Sequence, residues 1–460
     1  MPLLNPLAEF IADLSFDDLP TKTIEKTESH IFDSLGAVLS GASSEDARAA
    51  CDLVKKLSSI DGNNDIPVPG LGFSAPLPYA VLISCVSARM TEIDDIHLHS
   101  CTTPGSIIVP TALMSAYYAG ESGKRVFEGI LAGYDVMTRL GASVNGPEIL
   151  YRGIWPTYLC GAICAATIGS KIFGLNKEQI KHALAISLTM STGMAGKIMT
   201  GLTSRWLTLG GAVQNGLKAS LAAEAGFAGD TAILDGPFAS AYGLDLDPDI
   251  LLGGLGEKFR IEEISMKPHC TARQALSPTE AFRWLINTHQ INAEEIEDIQ
   301  VTIPQQYSQM IDRPNFPEAR MPSIVSVQYQ MALAAFYEED LYDLRRINLR
   351  DEEKIHAFIK KVHVESSPDY TALFPQKWPG KITLRASGKI YEHEVLSPKG
   401  DPELPLAWSE VEQKIIRANR DVMESATVKK MGESVKELKR QPVIKEFLEN
   451  LPVTNKGTEP

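Results

Sequence analysis

The sequence predicts a mainly α protein. A large all-helical domain is formed by both chain ends, residues 1–264 and 398–460, and a smaller α+β domain, 265–397, is inserted between them. Apolar residues recur at helical spacing through roughly the first 260 positions. After about residue 262 the period changes, and runs with strand-like alternation follow. From 405 to 450 the spacing is helical again and the composition highly charged, with Trp408, Val411, Ile415 and Ile416 on one stripe. That stripe needs an apolar partner and is expected to pack back on the N-terminal helices.

Within residues 6–60, Leu7, Phe10, Ile11 and Leu14 make one stripe and Ile24, Ile31, Leu35 and Val38 another. Ser34, Gly36, Ala37 and Gly41 beside the second stripe permit close packing. Residues 61–76, rich in Asp, Asn, Gly and Pro, read as a loop. Helices are expected over 77–98, 106–119, 124–143 and 157–174, the last small and apolar enough to be buried on most sides. Asn176 caps another that runs to about Ser191. Residues 192–211 are rich in glycine and threonine and read as irregular, with helix again over 212–226. In the middle section, 296–303, 359–366 and 381–396 read as strands, and 272–288 and 326–337 as helices between them.

The chain of 460 residues exceeds a single typical core, and its 44% hydrophobic and 22% charged content is ordinary for a globular protein. A net charge of −14 argues against a nucleic-acid surface and against anionic membranes. No run of 18 or more apolar residues suggests a membrane span, and the first residues do not resemble a secretory leader. The six cysteines contain no Cys-x-x-Cys pair and suggest neither a zinc site nor a disulfide framework. Reduced thiols, and with them a cytoplasmic location, are the expectation.

The chemistry is concentrated in residues 91–106. Glu92, Asp94, Asp95, His97 and His99 place five ionisable groups within eight positions, between apolar, alanine-rich flanks. Buried carboxylates and imidazoles are costly unless paired or used. If the helix ran to 99, Asp95 and His99 would share a face, as would Asp94 and His97. His97 and His99, two apart, cannot both point to one side of a helix, so one is expected to face a pocket. A metal site from His97, His99 and Asp94 is disfavoured, because one helix does not present all three to one ion. Cys101 reads as an inert buried thiol in preference to a nucleophile.

Several segments together resemble the MmgE/PrpD family, a family of dehydratases, decarboxylases and epimerases. The opening motif is similar to the family's Asp-Phe-Asp-Asp…His-Pro block and ends here in Pro104-Gly105-Ser106-Ile107-Ile108-Val109-Pro110. Asp33-Ser34-Leu35-Gly36, Gly133-Tyr134-Asp135, Lys267-Pro268 with Arg273, Glu280 and Ala281, and Ser326-Val327-Gln328-Tyr329 follow in the family's order. The resemblance implies the same two-domain division, with the α+β part as a lid, a homodimer, no cofactor and a pocket for a small polycarboxylate. It also locates departures. Glu92 stands at the family's first Asp, Ile96 where some decarboxylases have Thr, and Thr103 where many members have a catalytic His. Trp155 replaces another His, Arg205 sits at a substrate-binding Lys position, Lys267 matches the active-site Lys, and Ala272 occupies an expected His position.

The expected chemistry is movement of a proton next to a carboxylate, which needs a tuned acid or base and fixed cations. Asp94, Glu92, His97, His99, Lys267 and His269 are the candidate catalytic groups. Thr103, Arg205, Lys197, Arg273 and Trp155 are the candidate substrate contacts, with Arg205 as a carboxylate clamp and Lys197 its competitor in the same loop. The expected activity is that of a cofactor-independent lyase, first a 2-methylcitrate-like dehydratase. An aconitate-type decarboxylase, an isomerase or epimerase, and a cyclase with a more apolar substrate are the alternatives.

Overall fold

The structure, a computed structural model, describes residues 2–58, 65–194, 202–346 and 348–454. Helix covers 60% of it and strand 10%, so the mainly α class read from the sequence is the observed one. The chain divides into two compact units. The first comprises residues 1–196, 203–264 and 411–460, and the second residues 197–202 and 265–410.

The first unit is built from α1 (Leu4–Asp13), α2 (Thr21–Ala42), α3 (Glu45–Leu57), α4 (Leu77–Met90), α5 (Gly105–Ala119), α6 (Gly123–Ser143), α7 (Gly161–Ile172), α8 (Lys177–Thr189) and α9 (Ser204–Glu224). α7 is buried at every position. Its alanines and glycines explain this, since small side chains let several helices approach at once. α8 begins at Asn176 with a capping box: the Asn176 side chain accepts from the Gln179 N–H, and the Gln179 side chain accepts from the Asn176 N–H. α2 and α4 meet backbone to backbone at Gly41, where a Cβ would lie 1.8 Å from the Ser87 carbonyl oxygen.

The C-terminal tail packs on α2 as its stripe requires. Lys414 Nζ lies 2.6 Å from Asp33 Oδ1 and donates to the Ile93 carbonyl at 3.1 Å. Ile415 fills the notch left by Gly36, and Asn419 Nδ2 donates to the Gly36 carbonyl. Further along, Lys439 pairs with Glu28 at 2.5 Å and Gly123 N–H donates to the Gln441 carbonyl at 2.9 Å.

Four segments differ from the sequence reading, one of them 381–396, which folds as two antiparallel strands, Gly380–Ala386 and Lys389–Val395. α4 stops at Met90 instead of continuing to 98, because Glu92 adopts φ 57°, a left-handed conformation no α-helix accommodates. The loop read over 61–76 carries a two-stranded antiparallel ribbon, Ile66–Val68 with Phe73–Ala75. α9 starts at Ser204, eight residues before the expected 212, because Trp206 and Leu209 already lie on its buried face.

The second unit holds a four-stranded sheet. Its order is β2 (Val362–Ser366), β1 (Ile296–Ile303), β3 (Gly380–Ala386) and β4 (Lys389–Val395), with β1 and β2 parallel and the other pairs antiparallel. The alternation in β1 puts Ile299, Val301 and Ile303 on the buried face. Helix α10 (Leu276–Thr288) approaches β3 closely: a Cβ on Gly380 would meet Pro278 at 2.6 Å. Helix α11 (Val327–Phe336) is capped by the Ser326 hydroxyl, which accepts from the Tyr329 N–H.

Candidate active site

In the first unit, the loop between α4 and α5 turns its charges inward. α4 delivers Arg89, the one charged residue in an otherwise uncharged helix. Its guanidinium lies 2.8 Å from Glu92 Oε2 and 3.2 Å from Asp94 Oδ1. Burial works against that charge, but Asp94 and Glu92 overcome it and hold Arg89 protonated above its ordinary range. The left-handed turn at Glu92 is what folds its carboxylate back over the end of the helix.

The other oxygen of Glu92 takes Arg205, from the start of α9, at 2.7 Å. Arg205 is only 6% exposed. Its planar guanidinium lies 4.1 Å from the Trp206 ring and 4.8 Å from the Trp155 ring. Flat aromatic faces attract a delocalised cation and exclude water from it. Trp155 itself stacks on Tyr158, with ring planes 20° apart. Burial raises the Tyr158 phenol, with Arg205 and Arg89 partly offsetting it. Among the described residues, Arg205 Nε has no hydrogen-bond partner. Thr103 reaches the residue before Tyr158: its N–H donates to Thr157 Oγ1 at 3.0 Å, and the two hydroxyls are 3.2 Å apart.

Glu92, Asp94, Trp155 and Arg205, four of the residues singled out in the sequence, therefore meet in one buried cluster, and Thr103 is tied to its edge through Thr157. Arg89, Trp206, Tyr158 and Thr157 complete it and were not singled out. A lone arginine within a long apolar helix was the available signal for Arg89. For Trp206 the signal was its adjacency to Arg205. Tyr158 and Thr157 carried none, since their approach to Thr103 is long-range.

The two histidine rings lie 5.9 Å apart, centroid to centroid, but differ in burial. His97 is buried, with Nδ1 2.9 Å from Ser100 Oγ and Nε2 3.2 Å from Glu263 Oε2. Ser100 Oγ and Thr102 Oγ1 are 2.7 Å apart, and Cys101 takes a left-handed φ of 52° between them. Burial lowers the His97 pKa despite Glu263. Glu263 goes to about 2: burial raises it, but the bonds from His97 and Arg260 outweigh that. His99 is exposed. Cys101 is buried and its thiol is pushed up to about 12, which keeps it protonated.

Asp95 leads away from Arg205 altogether. Its carboxylate accepts from Gly105 N–H at 2.7 Å and from the Tyr134 hydroxyl at 2.6 Å, and lies 2.8 Å from His30 Nδ1.

The remaining candidates belong to the second unit. Lys267 and His269 are buried, and the His269 ring centroid is 6.2 Å from that of Tyr342. Arg273 is engaged by Asp401 through both carboxylate oxygens, at 2.7 and 2.6 Å, and Ser265 Oγ donates to the same carboxylate at 2.5 Å. Lys197 lies outside the described residues. Among the described residues no group of three or more His, Cys, Asp or Glu side chains is placed to hold a metal ion, and no helix is long and apolar enough to cross a membrane.

Comparison with known proteins gives two family matches. The MmgE/PrpD N-terminal domain matches residues 5–247 and the MmgE/PrpD C-terminal domain residues 269–439. Among curated proteins, the chain is 26% identical to a cis-aconitate decarboxylase of Mus musculus over 446 residues, covering 91% of this chain and 88% of that one. It is 25% identical to a cis-aconitate decarboxylase of Homo sapiens over 462 residues, covering 95% and 92%. A cis-aconitate decarboxylase of Aspergillus terreus is 24% identical over 296 residues, a match that spans 60% of this chain and 59% of that enzyme's length.

Proposed function

The chain belongs to the MmgE/PrpD family, and we propose that within it this protein is a cofactor-independent lyase acting next to a carboxylate of a small organic acid. Decarboxylation stands ahead of dehydration in this reading, because the relatives described above are named cis-aconitate decarboxylases. The observation that carries it is the Arg205 guanidinium, held between Trp206 and Trp155 and bonded to Glu92.

A guanidinium positioned in this way offers its Nε–H to one oxygen of a substrate carboxylate. Glu92, bonded to the same guanidinium and to Arg89, is held as a carboxylate that can accept a proton but has none to donate. In decarboxylation, the bond to the departing carboxylate breaks and leaves its electron pair on carbon. Carbon dioxide departs, and that carbon takes a proton that comes from solvent water. Arg205 stabilises the negative charge while it is spread over the remaining acid group. Asp94 holds Arg89, and the Thr103 hydroxyl supplies a neutral contact. Lys267 and His269, buried in the second unit, remain candidates as a carboxylate-binding or proton-donating lysine and a proton carrier. Trp155 favours an acid less polar than a tricarboxylate as a second reading, since its ring covers one face of the cation.

Incubation with cis-aconitate, citrate and 2-methylcitrate in D₂O, followed by NMR, tests the proposal. The expected result is release of carbon dioxide with one solvent deuterium at the new C–H bond. New alkene signals without carbon dioxide identify the dehydratase instead. No change with any of the three acids overturns the lyase reading, and full turnover by Lys267→Ala removes that lysine from it. Light scattering checks the homodimer that the family resemblance implies.

A further inference from the structure

The loop that carries Glu92 and Asp94 is held at one point by a group that takes no part in the Arg205 cluster. Asp95 is fully enclosed, and its carboxylate gathers three elements: His30 from α2, Tyr134 from α6 and the N–H of Gly105 at the start of α5. Gly105 has to be glycine for this, since a Cβ there would lie 2.8 Å from both Asp95 oxygens and from Ser34 Oγ. Each bond goes to an ionised acceptor in a dry site, where such bonds are short and strong.

We infer that Asp95 is a positioning residue, whose clasp on His30, Tyr134 and the Gly105 N–H fixes the loop so that Glu92 meets Arg205. The catalytic consequence rests on the lyase reading above; the clasp itself does not. Asp95 is three residues from Glu92 and one from Asp94, so a shift of its carboxylate is passed to both through a few bonds. An error of this kind, of about an ångström, costs up to about a hundredfold in rate when reacting groups must be aligned.

The clasp has a defined protonation pattern. Burial raises Asp95, but the bonds from His30 and Tyr134 win and keep it ionised below the ordinary carboxylate range. Burial lowers His30 despite Asp95. His30 Nε2 is buried without a hydrogen-bond partner among the described residues, which suits a neutral ring with its single proton on Nδ1. Burial likewise raises Tyr134 well above its usual value, so it remains a donor. Asp95 is therefore the acceptor for all three.

Tyr134→Phe removes one bond without adding bulk, His30→Leu removes another with a side chain of similar volume, and Asp95→Asn removes the charge. His30→Asn keeps a donor close to the position of Nδ1. The experiment combines circular dichroism, amide hydrogen exchange of the 91–104 segment, and kcat and KM for whichever acid is turned over. In the folded Tyr134→Phe and His30→Leu variants, exchange in that segment is expected to rise about tenfold while α9 is unchanged. Their kcat is expected to fall about tenfold with KM within about threefold, and His30→Asn to recover most of the loss. Exchange or kcat within about twofold of the parent in both folded variants overturns the inference. If no acid is turned over, the lyase reading fails, and hydrogen exchange alone decides the clasp.

Discussion

Arg205 shows how much a single side chain draws from its surroundings. An ammonium in its place keeps the charge but loses the planar contact with two indoles and the directed bond to Glu92. Arg205→Lys is therefore expected to lower kcat/KM at least about tenfold, some 1.4 kcal/mol of transition-state stabilisation. Steady-state kinetics on the turned-over acid checks this, and an unchanged value would remove Arg205 from the site. A second prediction concerns Glu263, whose folded pKa of about 2 lies below its ordinary value of 4.5. A carboxyl depressed in this way contributes stability that is fully present above the unfolded value and is lost as pH falls through the folded one. The Tm advantage of the parent over Glu263→Gln is expected to be constant near neutral pH and to narrow from about pH 5 downward. A gap that stays unchanged from about pH 5 down to about pH 2 contradicts the depressed Glu263 carboxyl.

At the scale of elements, most helices follow from spacing and caps. α8 was legible from Asn176 onward, and α5 and α6 from their apolar periodicity. The failure at α4 is more instructive. Its sequence continues with acceptable helical spacing to 98, yet the helix stops at Met90. The reason is non-local: Asp95 must reach Gly105, Tyr134 and His30, and Glu92 must reach Arg205, and a continuous helix points these groups in other directions. The contact of α2 with α4 at Gly41 gives a further prediction. In Gly41→Ala the new methyl falls on backbone, which no rotamer change relieves. A loss at or beyond the usual overpacking cost of about 1–3 kcal/mol is expected, measured as the shift of the urea midpoint.

At the scale of the molecule, the first unit takes segments from both ends of the chain. Lys414 joins them, since it meets Asp33 of α2 and the Ile93 carbonyl of the candidate loop in a buried place. Burial raises the Asp33 pKa, and Lys414 opposes that. Removing the partner leaves a carboxyl enclosed without its cation, a change that costs about 3–5 kcal/mol in buried pairs. Lys414→Met is expected to destabilise by that order in equilibrium unfolding. A chain ending before residue 411 is expected not to form the first unit at all, as read by loss of cooperative unfolding. Retention of the full Tm by that shortened chain would show that the tail only decorates the surface.

Spacing and composition by themselves determined the mainly α class, the change of period near 262, the strands of the middle section and the need of the tail for an apolar partner. These depend on neighbours a few positions apart, and local periodicity records them. They also marked residues 91–106 as the place where charge is set in apolar surroundings. The tertiary structure alone decided how those charges divide. Glu92 and Asp94 go to Arg89 and Arg205, Asp95 to His30 and Tyr134, and His97 to Glu263, while His99 faces solvent. A carboxylate in a dry interior takes whichever donor the packing of distant segments brings within about 3 Å, and that pairing is set by geometry the local sequence does not encode.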